Sequence, residues 1–133
     1  MNRVPLIDRA DTSAERKALL DAIHGAFGAT PNMFRAVANS PAALKSMWGS
    51  FGALGGGTLG ARLGEQIAVA VADRNACSYC LAAHTVLGQK AGASAEEMAA
   101  AQLGESSDPK TRAALLFALK VVGQRGQVSS ADV

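Results

Sequence analysis

Helix-opening signatures recur along this chain, and each is followed by an apolar run. Thr12 with Glu15, and Ser94 with Glu97, have the spacing of a capping box, in which a hydroxyl and a carboxylate three residues later satisfy each other's backbone N–H groups. Thr30-Pro31, Ser40-Pro41 and Asp108-Pro109 put a capping side chain directly before proline, whose missing N–H has no intrahelical partner in a first turn anyway. Apolar residues then fall at helical spacing: Leu19, Leu20, Ile23 and Phe27; Met33, Phe34 and Val37; Leu44, Met47, Trp48, Phe51 and Leu54. These large side chains are expected in the core. The pattern predicts an all-α, single-domain bundle over residues 1–133, with about six to seven helices behind an extended arm of residues 1–11. Composition agrees. Of 133 residues 28 are alanine and only 5% are aromatic, whereas strands draw on β-branched and aromatic side chains.

Two segments are ambiguous by periodicity. Ile67 to Ala72, IAVAVA, would suit a buried strand as well as a helix. The polar residues on either side and the alanine content favour a helix from Leu63 to Arg74. Gly55-Gly56-Gly57 is expected to be a flexible loop, although Gly52, Gly56, Gly60 and Gly64 also fall at the four-residue interval of a helix contact. Ala113 to Val122 is almost wholly apolar, which predicts a helix that is either central or part of a subunit interface. Ser129 with Asp132 has capping-box spacing with little chain after it, so the stretch after 128 is expected to be a truncated or disordered stub.

A net charge of +2 with scattered Lys and Arg gives no footprint for nucleic acid. No apolar run approaches the roughly 18 residues that span a bilayer, and the first residues lack a continuous apolar signal core. The expected setting is therefore cytoplasmic and reducing, where a Cys-x-x-Cys pair is catalytic or metal-binding more often than structural.

Cys77 and Cys80 are the only cysteines, and His84 follows Cys80 by four residues, one helical turn. Either Asn75 or Ser78 is expected to cap the helix that carries them. An imidazole and a helix N-terminus both favour thiolate over thiol. The predicted chemistry is a dithiol cycle in which Cys80 attacks, Cys77 resolves and His84 acts as base. A structural zinc site would need four ligands, and the only other histidine is His24, read as a boundary residue. Trp48 is read as core rather than as a cofactor platform. Glu65 opens the preceding helix, where a carboxylate alternatively serves the helix dipole.

The order Glu65, eleven residues, Cys77, two residues, Cys80, three residues, His84 resembles the alkylhydroperoxidase D-like core of the carboxymuconolactone decarboxylase superfamily. A weaker likeness runs upstream through TPNMFRAVANSPAALKSMW, so that it covers roughly residues 28–92. The resemblance implies an all-helical fold without cofactor; no metal site is expected, for want of ligands. It implies Cys80 as the peroxide-attacking thiol, Cys77 as the resolving thiol, His84 as base and Glu65 as proton relay. It also implies a small organic or hydrogen peroxide as substrate, a dithiol or reductase protein as reductant, and a homo-oligomer, commonly trimer or hexamer. Some strongly active members carry histidine between the cysteines. Tyr79 stands there instead, and a phenol with a pKa near ~10 is a poorer proton shuttle at neutral pH. The competing expectations are a ring-processing decarboxylase, whose chemistry has no evident use for the dithiol, and a non-enzymatic redox sensor or disulfide-exchange protein.

Overall fold

The computed structural model describes residues 3–133. Seven α-helices and a terminal 3-10 turn make up its regular structure: α1 Ala14–Phe27, α2 Asn32–Val37, α3 Pro41–Gly55, α4 Ala61–Arg74, α5 Ser78–Lys90, α6 Ala95–Gln102, α7 Pro109–Gly123 and the turn Ser130–Asp132. No strand occurs among the described residues. The IAVAVA run is helix. The chain forms two compact units, the second beginning at Gly57.

In the first unit the arm is strapped down by hydrogen bonds. Ile7 N–H donates to the Arg35 carbonyl and the Arg35 guanidinium returns a bond to the Ile7 carbonyl, both at 3.1 Å. The first two residues of the expected arm lie outside the described residues. Ser13, not Thr12, caps α1, because Ser13 is the last extended residue and its hydroxyl accepts from Arg16 N–H. Thr30 does not cap α2 either. Its hydroxyl pairs with His24 Nδ1 at 3.2 Å, and Pro31 takes the cap position without a side-chain bond. Ser40 caps α3 as expected. Leu20, Ile23, Phe34, Ala38 and Leu44 are fully enclosed, with Trp48 edge-on to Phe27 and Phe34 beside them. Met33 of α2 is exposed rather than core, and so are Phe51 and Leu54, since α3 carries apolar residues around more of its circumference than one packed face can cover. Of the expected glycine loop, Gly55 is the last residue of α3 and Gly56 caps it, donating to the Gly52 carbonyl, while Gly57 lies in the non-helical turn that follows.

The second unit is built around α4, against which α5, α6 and α7 all pack. That explains the continuous apolar run of α4. Val69, Ala70, Met98, Ala101 and Leu115 form its core. The α6 capping box is formed in both directions between Ser94 and Glu97, and the Asp108 carboxylate caps α7 through Thr111 N–H at 2.7 Å. Leu115 is the fully buried residue of α7, while Leu116 and Phe117 stay exposed, so α7 is not a central helix. Ser129 and Asp132 do form their capping box. It closes a 3-10 turn that an Asp132–Lys120 ion pair ties to α7, in place of the expected disordered stub.

Candidate active site

The junction between α4 and α5 is made of very few residues, and Cys77 carries most of it. At the end of α4, Ala76 N–H donates to the Asp73 carbonyl and Cys77 N–H to the Ala72 carbonyl, both at 2.9 Å. This is the paired-bond helix ending in which one residue turns left-handed. Here that residue is Ala76, with φ of 52°, a conformation in which a Cβ is costly. Cys77 then caps α5, and its sulfur accepts the backbone N–H of Cys80 at 3.3 Å. Neither Asn75 nor Ser78 takes that role. Cysteine is not among the usual capping residues, so the sequence carried no signal for it. One residue thus terminates α4 and opens α5, which fixes its sulfur at a helix N-terminus where orphan N–H groups favour negative charge.

Cys77 and Cys80 are joined as a disulfide, with Cα atoms 5.3 Å apart, within the range that a disulfide spans. Both are half-buried, whereas Tyr79 between them is 57% exposed.

His84 lies one turn along α5 from Cys80. Its Nδ1 is 2.7 Å from Glu65 Oε2, an ion-pair distance bridging α4 and α5. Because α4 begins at Ala61, Glu65 lies beyond the first turn. Its carboxylate therefore bonds to the imidazole instead of serving the helix terminus. Pairing to Nδ1 leaves Nε2 as the ring nitrogen available to another partner.

One residue that sequence reasoning missed shapes this contact. Gly88, one turn beyond His84, is buried where α5 meets α4 and α6. A Cβ there would collide with the end of the Met98 side chain and come within 3.3 Å of Glu65 Cβ. An isolated glycine inside a helix was the available signal, and only packing gives it meaning.

Comparison with known proteins follows the same lines. Residues 41–122 match the model of the carboxymuconolactone decarboxylase family. The crystal structure of the alkylhydroperoxidase AhpD core from Rhodospirillum rubrum ATCC 11170 is similar at a TM-score of 0.69 and 30% sequence identity, over 98% of this chain and 96% of that one. No curated protein matches the sequence. A family match over more than half of the chain, together with a likeness to that structure over nearly its whole length, means that this all-helical chain belongs to the carboxymuconolactone decarboxylase family.

Proposed function

We propose that the chain is a thiol-dependent peroxidase that reduces small organic or hydrogen peroxides through Cys77 and Cys80. The observation that supports this best is the Cys77–Cys80 disulfide at the head of the helix whose His84 pairs with Glu65. The likeness to the alkylhydroperoxidase AhpD core adds to it.

In the proposed cycle the Cys80 thiolate attacks the distal peroxide oxygen. The O–O bond breaks, Cys80 becomes a sulfenic acid, and the alkoxide takes a proton to leave as alcohol. The Cys77 thiol then attacks the sulfenic sulfur, forming the disulfide and releasing water. An external dithiol restores both thiols by exchange and is itself oxidised to a disulfide. His84 is the base toward the Cys80 thiol, and Glu65 holds the imidazole and relays its proton. Tyr79, exposed to solvent, takes no proton-transfer step.

The assay mixes reduced protein with cumene hydroperoxide and counts thiols, with and without a recycling dithiol. Turnover sustained by the dithiol is the expected result. Loss of two thiols without turnover would mean a redox sensor, and no thiol loss would overturn the reading and leave the decarboxylase chemistry of the family name. We also propose self-association into a trimer or hexamer, supported by the exposed Leu103, Leu116 and Phe117 of the second unit. Light scattering that returned a monomer would remove it.

A further inference from the structure

Away from the cysteines, the second unit contains an open cleft of about 520 Å³ lined by the start of α4, Ala91, Glu97 of α6 and the segment that leads into α7. None of Glu65, Cys77, Cys80 or His84 lines it. Three helix N-termini, those of α4, α6 and α7, contribute to its wall. Ser94 caps α6 and Asp108 caps α7, but α4 starts from Gly60 with no side-chain cap. The N–H groups of Ala61, Arg62 and Leu63 are therefore unfilled donors at a positive helix end.

Gln66 is the second observation. It is the one buried polar residue among the described residues, 4% exposed, and it lines this cleft. Its amide enters no side-chain hydrogen bond within the described residues, and its polar atoms are not sealed off as Arg16 Nε is. Its polar atoms are therefore reached from solvent, and a ligand atom in the cleft can replace the water that otherwise satisfies the amide.

We propose that this cleft binds a small organic carboxylate, with its carboxylate on the free N–H groups of α4 and a further polar atom on the Gln66 amide. The charge balance selects the class. The Glu97 carboxylate is already held by Ser94 N–H and Arg62, and that of Asp108 by Thr111. Both stay ionised, their pKa values lowered by the Ser94 backbone bond and by the Thr111 bonds respectively. Two fixed negative charges opposed by Arg62 alone repel a dianion such as phosphate. A planar monoanion with two oxygens meets less repulsion and matches adjacent N–H donors.

The test is a titration of the full-length, disulfide-bonded chain with acetate, followed by backbone and side-chain amide NMR, with chloride and inorganic phosphate at matched ionic strength. Acetate is expected to shift the Ala61, Arg62 and Leu63 amides and the Gln66 side-chain NH₂ saturably, with phosphate weaker and chloride inert. Gln66→Glu, which keeps the shape and adds a negative charge, is expected to weaken binding about tenfold or more. If that variant fails to fold, Gln66→Met serves in its place and should weaken binding in the same direction. Shifts that grow linearly, or that chloride or phosphate reproduces, would mean a solvated cleft only and would overturn the proposal. Unchanged acetate affinity in a folded Gln66 variant would do the same. Neither result bears on the dithiol cycle.

Discussion

Glu65 Oε2 and His84 Nδ1 lie 2.7 Å apart, joining α4 to α5 across nineteen residues of sequence. A carboxylate at that distance orients the ring and places a proton on Nδ1, so that Nε2 is the basic nitrogen. Glu65→Gln keeps the shape and loses the charge. Thiol loss driven by cumene hydroperoxide is expected to slow about 10²-fold, the lower end of what a positioned base contributes. The melting temperature should move little, because both side chains are partly solvated. An unchanged rate would remove Glu65 from the relay.

The cap at Cys77 can be measured separately from its redox role. Cys77→Ser and Cys77→Ala both abolish the disulfide, so their comparison isolates the bond that Cys80 N–H makes to the residue 77 side chain. Serine is a strong capping residue and alanine is not. Urea denaturation should find Cys77→Ala less stable than Cys77→Ser by about 1 kcal/mol. Equal stabilities would mean that the cap contributes nothing.

Ala76 sits at φ of 52°, where glycine is the ordinary choice. Ala76→Gly removes the Cβ conflict, worth ~1–2 kcal/mol in that region, and loses part of the gain to the freer unfolded chain. A net stabilisation of about 0.5–1 kcal/mol is expected in thermal or urea denaturation. If the variant is instead less stable, Ala76 is not strained.

Acid should release the C-terminal turn. The Asp132 carboxyl is pulled down to about 2, first by its bond from Lys120 and then by the Ser129 backbone N–H and hydroxyl. Its folded pKa lies below the unfolded value of 3.8, so the contribution is complete above that value and is lost as pH falls through about 2. Hydrogen exchange at Asp132 N–H, bonded to the Ser129 carbonyl at 3.0 Å, should accelerate across that window. In Lys120→Met the acceleration should begin at higher pH, and coincident profiles would show that the ion pair does not hold the turn.

The helical architecture was legible because caps and apolar periodicity are local. Ser40, Ser94 and Asp108 act where their side chains suggest. Reading failed where a side chain had a competing partner. Thr30 turned to His24 and left the α2 cap to Pro31. The dithiol and His84 were visible in spacing, but the pairing of Glu65 with His84 needs two helices laid side by side, which no single-helix pattern encodes. Gln66 reads as an ordinary polar residue until three helix starts are found around it.

Gly88 sets how closely those two helices lie. Its missing side chain admits the end of Met98 and brings the α5 backbone near Glu65 Cβ. Gly88→Ala must displace Met98, whose flexible end can yield, and must also open the α4–α5 gap by a few tenths of an ångström. The overpacking should cost about 1–3 kcal/mol, partly offset by the better helix propensity of alanine. The Glu65–His84 bond stretches with the gap, so peroxide reactivity should fall by more than the loss of folded protein explains. Met98→Val, combined with Gly88→Ala, removes the colliding Sδ and Cε atoms and should recover stability. Peroxide reactivity should stay low in the double variant, since the 3.3 Å approach of the new methyl to Glu65 Cβ persists. Stability and reactivity recovering together would place the whole effect on Met98 packing and leave Gly88 without a part in positioning the Glu65–His84 pair.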